Sequence, residues 1–163
     1  MPGSNISRAG LLLLASLCLP GSATQAAVAS PFAAMAGSWS GGGVLDTTDG
    51  NQERLRCRAS YDVAGGGAEL ELNLKCASQS YNFDLAGNVE YRGGAISGEW
   101  TEASRNASGT ISGRAAGDRI EASATGQNFS AGLSLTTRGS RQTVTIRPQG
   151  TNVTAVSLTL ERR

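Results

Sequence analysis

The chain is 163 residues long, carries 17% charged residues with a formal net charge of +1, and contains no histidine. That length suits one domain with a real core, and the near-balanced charge gives the chain no general pull toward nucleic acid or an anionic membrane. The missing histidine removes the commonest general base, the Ser-His-Asp arrangement and the imidazole metal site.

At the start of the chain, Arg8 precedes an apolar run from Leu11 to Leu19. Small residues follow, and Ala27-Val28-Ala29 offers an A-x-A cleavage site, with cleavage after Ala26 as an alternative. This reads as a secretory signal peptide over 1–29, leaving 30–163 as one β-barrel domain. The apolar run is about half of the ~20 residues a spanning helix needs. Cys18 follows Ala15-Ser16-Leu17, which puts a bulky leucine where lipidation signals want a small side chain, so Cys18 is expected to leave with the leader. Two cysteines remain in an exported, periplasmic or secreted chain, where oxidation is favoured.

After the leader, short runs of alternating apolar and polar residues are separated by clusters of Gly, Asn, Asp and Ser, the pattern of an all-β chain. The runs are Gly37 to Leu45, Glu53 to Val63, Ala68 to Ala77, Tyr81 to Leu85, Val89 to Tyr91, Ala95 to Thr101, Gly109 to Ala115, Ile120 to Gly126, Phe129 to Thr137, Gln142 to Arg147 and Val153 to Leu160. Any helix is a short one near Pro31 to Ala36. An antiparallel up-and-down meander of about 8–11 strands must close into a barrel or split into two packed sheets. Closure removes exposed edges, which favours a soluble barrel over a β-sandwich. An outer-membrane barrel would need aromatic girdles and an apolar outer face. Here aromatics make up 5%, and Arg54, Arg56, Arg58, Asp62, Glu71 and Lys75 alternate with the apolar positions.

The segment from Leu55 to Cys76 fixes its own register. Pairing Cys57 with Cys76 also pairs Ala59 with Leu74, Tyr61 with Leu72 and Val63 with Leu70, so every apolar side chain falls on one face and the turn falls on Gly65-Gly66-Gly67. A turn of Gly66-Gly67 alone makes the cysteines a hydrogen-bonded pair. A four-residue loop from Gly65 to Ala68 makes them a non-hydrogen-bonded pair, and either lies within disulfide reach. The alternative is two buried free thiols.

Carboxylates give little support for catalysis, because Asp62, Glu71, Asp84, Glu99 and Glu121 fall out of phase with the apolar residues of their strands and so face water. Glu53 and Gln142 are in phase, but both begin a strand, where side chains are often wet. Gly41-Gly42-Gly43 lacks the helix and the Gly-Lys-Ser/Thr ending of a phosphate loop, and reads as a bent or closely approached strand. The row Arg54, Arg56, Arg58, with Lys75 on the facing strand, is the densest basic feature. It suits either an anionic partner or a solvated face that discourages sheet stacking.

Many in-phase residues are small: Gly37, Gly41, Gly43, Gly98, Gly113, Ala122, Ala124, Gly126 and Ala131. They leave either an apolar cavity or a flattened, packed interior. The large in-phase residues Trp39, Tyr61, Leu72, Phe83, Trp100, Phe129 and Leu133 are the candidates to line a cavity.

Gly37-Ser38-Trp39 resembles the G-x-W element that opens lipocalin and related calycin barrels. The resemblance implies a barrel that holds a small hydrophobic molecule, and a basic residue near its end, Arg147 or Arg162 here, that packs on the tryptophan. The stretch from Cys57-Arg58-Ala59 through Cys76-Ala77-Ser78-Gln79-Ser80-Tyr81-Asn82-Phe83, with Ile96-Ser97-Gly98-Glu99-Trp100, is similar to a group of small exported bacterial proteins and brings no activity with it. The expected function is non-catalytic binding, without cofactor, metal or nucleic acid and without a membrane-spanning segment. The ligand is a small lipophilic molecule in the barrel. The alternative is an envelope interaction module, an inhibitor or accessory protein, that keeps a packed interior and uses the basic face and loops such as Ala103 to Ser108.

Overall fold

The alternation of apolar and polar residues becomes ten antiparallel strands in the computed structural model, which describes residues 29–163. The leader reading and Cys18 lie outside the described residues, apart from Ala29. The strands are β1 (Gly37–Thr47), β2 (Gln52–Ala64), β3 (Glu69–Ala77), β4 (Asn82–Arg92), β5 (Ala95–Glu102), β6 (Ala107–Ala116), β7 (Arg119–Gly126), β8 (Phe129–Arg138), β9 (Arg141–Gln149) and β10 (Val153–Arg162). Each pairs with its chain neighbour, and β1 pairs with β10 to close the barrel. Closure leaves no free edge in the sheet, and the barrel, rather than the sandwich, is the architecture. No helix among the described residues is long and apolar enough to cross a membrane.

The hairpin register is the one the alternation dictates: Cys57 faces Cys76, Ala59 faces Leu74, Tyr61 faces Leu72 and Val63 faces Leu70. The loop is the four-residue alternative, 65–68, with Ala68 N donating to Gly65 O. Cys57 and Cys76 are joined by a disulfide with Cα atoms 4.1 Å apart, the close spacing of a non-hydrogen-bonded pair.

One expectation fails. The runs 81–85 and 89–91 are a single strand, β4, which continues through Gly87-Asn88. Gly87 is buried there because Leu72 lies over it: a Cβ at Gly87 would be 3.4 Å from Leu72 Cδ2 and 3.2 Å from Glu99 O. The glycine makes room for a neighbour rather than a turn.

The two ends of the barrel differ. At one end the loops 93–94, 117–118 and 139–140 are two residues long, and Gly93, Gly117 and Gly139 supply the positive φ of 55°, 59° and 58° that such turns need. A 3-10 turn, Pro31–Ala34, lies against this end, started by Ser30 Oγ accepting from Phe32 N at 3.2 Å. It drives Phe32 and Met35 into the interior, where they are 1% and 2% exposed. Phe32 meets Tyr91 edge-on at 6.2 Å. At the opposite end, the rim, the loops 48–51, 78–81, 103–106 and 150–152 run three or four residues and 127–128 two, while 65–68, at the first end, runs four.

The glycines of β1 are sites of close approach. A Cβ at Gly41 would lie 2.1 Å from Thr159 O, at Gly42 2.2 Å from Leu55 O, and at Gly43 1.8 Å from Ser157 O. The strand is squeezed between β10 and β2 by backbone, which cannot swing aside. Gly43→Ala should therefore destabilise the barrel by about 1–3 kcal/mol, the cost of overpacking. Gly132→Ala, where a Cβ meets nothing within 4 Å, should leave stability unchanged within about 0.5 kcal/mol. Urea midpoints of the two variants check this, and equal midpoints would dismiss the close approach as a determinant.

Candidate ligand-binding lumen

The sealed end is built around Trp39. Its ring is 1% exposed, its Nε1 donates to Met35 O at 2.7 Å, and it meets Tyr61 edge-on at 6.5 Å. The Arg162 guanidinium lies 4.5 Å above the ring centroid and donates to the carbonyls of Ala36 and, at 2.5 Å, Ala34. Arg162 thus joins the last strand, the first strand and the 3-10 turn in one contact, and is the basic partner of the G-x-W tryptophan. Arg147 sits exposed on the outer wall, opposite Gly132.

Gln142 is 0% exposed, contrary to the expectation that a residue at a strand start is wet. It accepts from Tyr61 Oη at 2.7 Å and donates through Nε2 to Thr137 Oγ1 at 3.1 Å. Burial pushes the Tyr61 hydroxyl well above its ordinary range, partly offset by the Gln142 bond, so it stays a neutral donor. Being in phase with Val144 and Ile146 was the usable signal for this burial, and the tight 139–140 turn is why the strand start is not wet.

Of the seven lining candidates, Trp39 and Tyr61 belong to this sealed end. Leu72, Phe83, Trp100, Phe129 and Leu133 lie on the inward faces of β3, β4, β5 and β8. Four of the seven share one cross-strand row: Tyr61 pairs with Leu72, Leu72 with Gly87, Gly87 with Trp100, Trp100 with Gly109, Gly109 with Gly126, and Gly126 with Phe129. Because strands in a barrel are tilted, such a row climbs from one end toward the other, here from the seal to the rim. Large side chains lie over the glycines: Leu72 over Gly87, and Trp100 against Gly126, whose Cβ would fall 2.9 Å from Trp100 Cζ2. Trp100 is 8% exposed and meets Phe129 edge-on at 5.5 Å.

Around this row, Leu74, Leu85, Ile111, Leu135 and Ile146 share the inward face and, like Leu72, Phe83, Phe129 and Leu133, are half-buried. Inward residues at the sealed end, such as Tyr91, Ile96, Ile120 and Leu160, are 0–8% exposed. The interior is therefore neither an empty cylinder nor uniformly packed. At the opposite end Leu45, Leu55 and Val153 are also buried, at 0–7% exposure, and the half-buried apolar side chains gather on the inward faces of β3 to β9.

The rim has its own polar support. Glu102, 6% exposed, accepts from Asp84 N at 2.9 Å, Ser104 Oγ at 2.5 Å and Arg105 N at 2.8 Å. Burial works to raise its pKa, and these bonds together outweigh it, leaving the carboxylate below its usual range. Arg105 lies 4.9 Å over the Phe83 ring, Phe83 stacks on Tyr81 at 6.3 Å, and Tyr81 Oη accepts from Asn152 Nδ2 at 2.6 Å. Glu102 escaped sequence reasoning because the strand was ended one residue early, at Thr101.

On the outer wall, Arg54, Arg56 and Arg58 are exposed and form no ion pair among the described residues. Lys75 does not extend the row as a free charge, since its Nζ is 3.0 Å from Asp84 Oδ2. Asp62, Glu71, Glu99 and Glu121 are exposed as expected, and Asp84 is half-buried in its Lys75 pair. Asp62, Glu69, Glu71, Glu90 and Glu99 gather around an outer cleft of about 700 Å³. No group of three or more metal-ligating side chains occurs among the described residues.

No protein-family model matches the chain, and no curated protein matches it by sequence. The fold does have solved counterparts. The crystal structure of Rv2717c from M. tuberculosis is similar, with 15% identity, a TM-score of 0.61, and coverage of 80% of this chain and 93% of that one. The likeness is one of fold: a closed antiparallel β-barrel. Lipocalin barrels close with eight strands, whereas this barrel closes with ten.

Proposed function

We propose that this is an exported, non-catalytic binding protein that holds a small lipophilic molecule in the barrel. The observation that carries the reading is a set of apolar side chains left half-buried on the inner wall. Phe32, Met35, Trp39 and Tyr61 seal one end, and Leu72, Leu85, Ile111 and Leu133 remain half-buried on the inward faces of β3, β4, β6 and β8. Apolar surface left facing a concave space is where an apolar ligand gains most from leaving water. The likeness of Gly37-Ser38-Trp39, with Arg162 on its ring, to the opening element of lipocalin barrels supports the same reading. The Cys57–Cys76 bond supports an oxidising compartment. Charged side chains around the outer wall support a barrel surrounded by water.

The test is native mass spectrometry of protein purified gently from its export compartment, then of the same sample denatured. An extra mass of a few hundred daltons lost on unfolding is the expected result. A bare polypeptide mass would count against a carrier and shift attention to the outer wall. There the unpaired row Arg54, Arg56 and Arg58 and the 103–106 loop would serve an envelope interaction module.

A further inference from the structure

Trp100 carries the one buried side-chain polar atom left without a hydrogen-bond partner among the described residues, its indole Nε1. The indole N–H can only donate, so only an acceptor satisfies it. The protein's other tryptophan shows the contrast, since Trp39 Nε1 reaches Met35 O. Glu102, one inward position nearer the rim, is not its acceptor and instead accepts from Asp84 N, Ser104 N, Ser104 Oγ and Arg105 N. Against the Trp100 ring lie the wall at Gly126 and, edge-on, the ring of Phe129. Phe129 is the first residue of β8, next to the 127–128 turn, and is half-buried.

Resting on the proposed lumen function, we infer that Trp100 Nε1 is the anchoring donor for the ligand, and that the ligand presents an uncharged carbonyl oxygen on an otherwise apolar body. The oxygen takes the N–H as the Phe129 ring gives way, and the apolar body lies along Leu72, Leu85, Ile111 and Leu133. A closed, ligand-free barrel holds an unsatisfied donor, and entry of the carbonyl removes that penalty. The carbonyl is uncharged because no cationic side chain is placed at Trp100 to compensate a buried carboxylate. Arg105 lies instead over Phe83.

The experiment is a titration of ¹⁵N-labelled protein, disulfide intact, with 2-undecanone, undecane and undecanoate. The two indole N–H resonances, one per tryptophan, are assigned with Trp100→Phe. 2-Undecanone should move the Trp100 resonance downfield, leave that of Trp39 in place, and bind about 3- to 10-fold more tightly than undecane, the worth of one net hydrogen bond. Trp100→Phe should bind both with equal affinity. Equal binding of ketone and hydrocarbon to the wild type would overturn the anchor and leave the lumen function standing. Binding of none of the three probes would overturn both. A ketone preference that survives in Trp100→Phe, or undecanoate binding more tightly than the ketone, would also overturn the anchor as stated. Should Trp100→Phe fail to fold, the wild-type indole shift, present with the ketone and absent with undecane, decides the matter alone.

Discussion

Trp39→Ala should lower the unfolding free energy by about 3–5 kcal/mol, the range for truncating a fully buried large aromatic. Three losses combine: the apolar burial of the ring, the bond from Nε1 to Met35 O, and the surface on which the Arg162 guanidinium rests. Trp39→Phe separates them. It keeps much of the burial, leaves Met35 O without its donor, and should cost about 1–3 kcal/mol for that orphaned acceptor. Denaturant titrations with the slope held common give both numbers. A Trp39→Ala midpoint within error of wild type would mean that the seal contributes nothing to stability, and that the 3-10 turn closes the end by itself.

Cys57→Ser is the second substitution with a large expected effect, about 2–5 kcal/mol. The bond closes a loop of sequence separation 19, for which loop-closure entropy in the unfolded chain gives about 3 kcal/mol. Both cysteines are buried, at 3% and 6% exposure, so the serine hydroxyl would add a polar group to an apolar surrounding. Comparing wild type with and without reductant isolates the cross-link from that second effect. Equal midpoints in the two conditions would sink the claim that the bond stabilises the fold.

The hairpin around this bond was legible in the sequence because three independent signals agreed: cysteine spacing, apolar alternation and turn glycines. Where one signal stood alone, reading was harder. Gly87-Asn88 looked like turn chemistry and is the middle of β4, since only the folded sheet brings Leu72 onto Gly87. Gln142 was placed inward by its phase and outward by its position at a strand start. The phase was right, because a two-residue turn leaves no length over which the strand start can reach water. Gly41, Gly43, Gly98 and Gly113 were recognised as inward, but their role differs from simple spaciousness: at each of them a Cβ would collide with a neighbouring strand's carbonyl. Closeness between non-adjacent segments is not written in local pattern. Neither is the choice of barrel over sandwich, which turns on one pairing, β1 with β10.

The lumen was partly legible. Period-two phase puts all seven lining candidates on one face, but phase says nothing about depth, so it could not separate Trp39 and Tyr61 at the seal from Trp100 and Phe129 near the rim. Depth follows from strand tilt and from the 3-10 turn that closes one end. Those are properties of the closed sheet.

The β1–β10 pairing also has a kinetic side. Trp39 faces Arg162 across nearly the whole length of the domain, so the bonds that close the barrel join its first strand to its last. Local hairpins can form as soon as their turns are in place, whereas this seam must wait for the final strand and bears the largest loop-closure entropy of any pairing in the sheet. Until then the growing meander has two open borders, one of them the glycine-rich β1, whose backbone donors and acceptors are bare toward any passing strand. Holding the chain unfolded until it is complete would remove the interval in which those borders find the wrong partner.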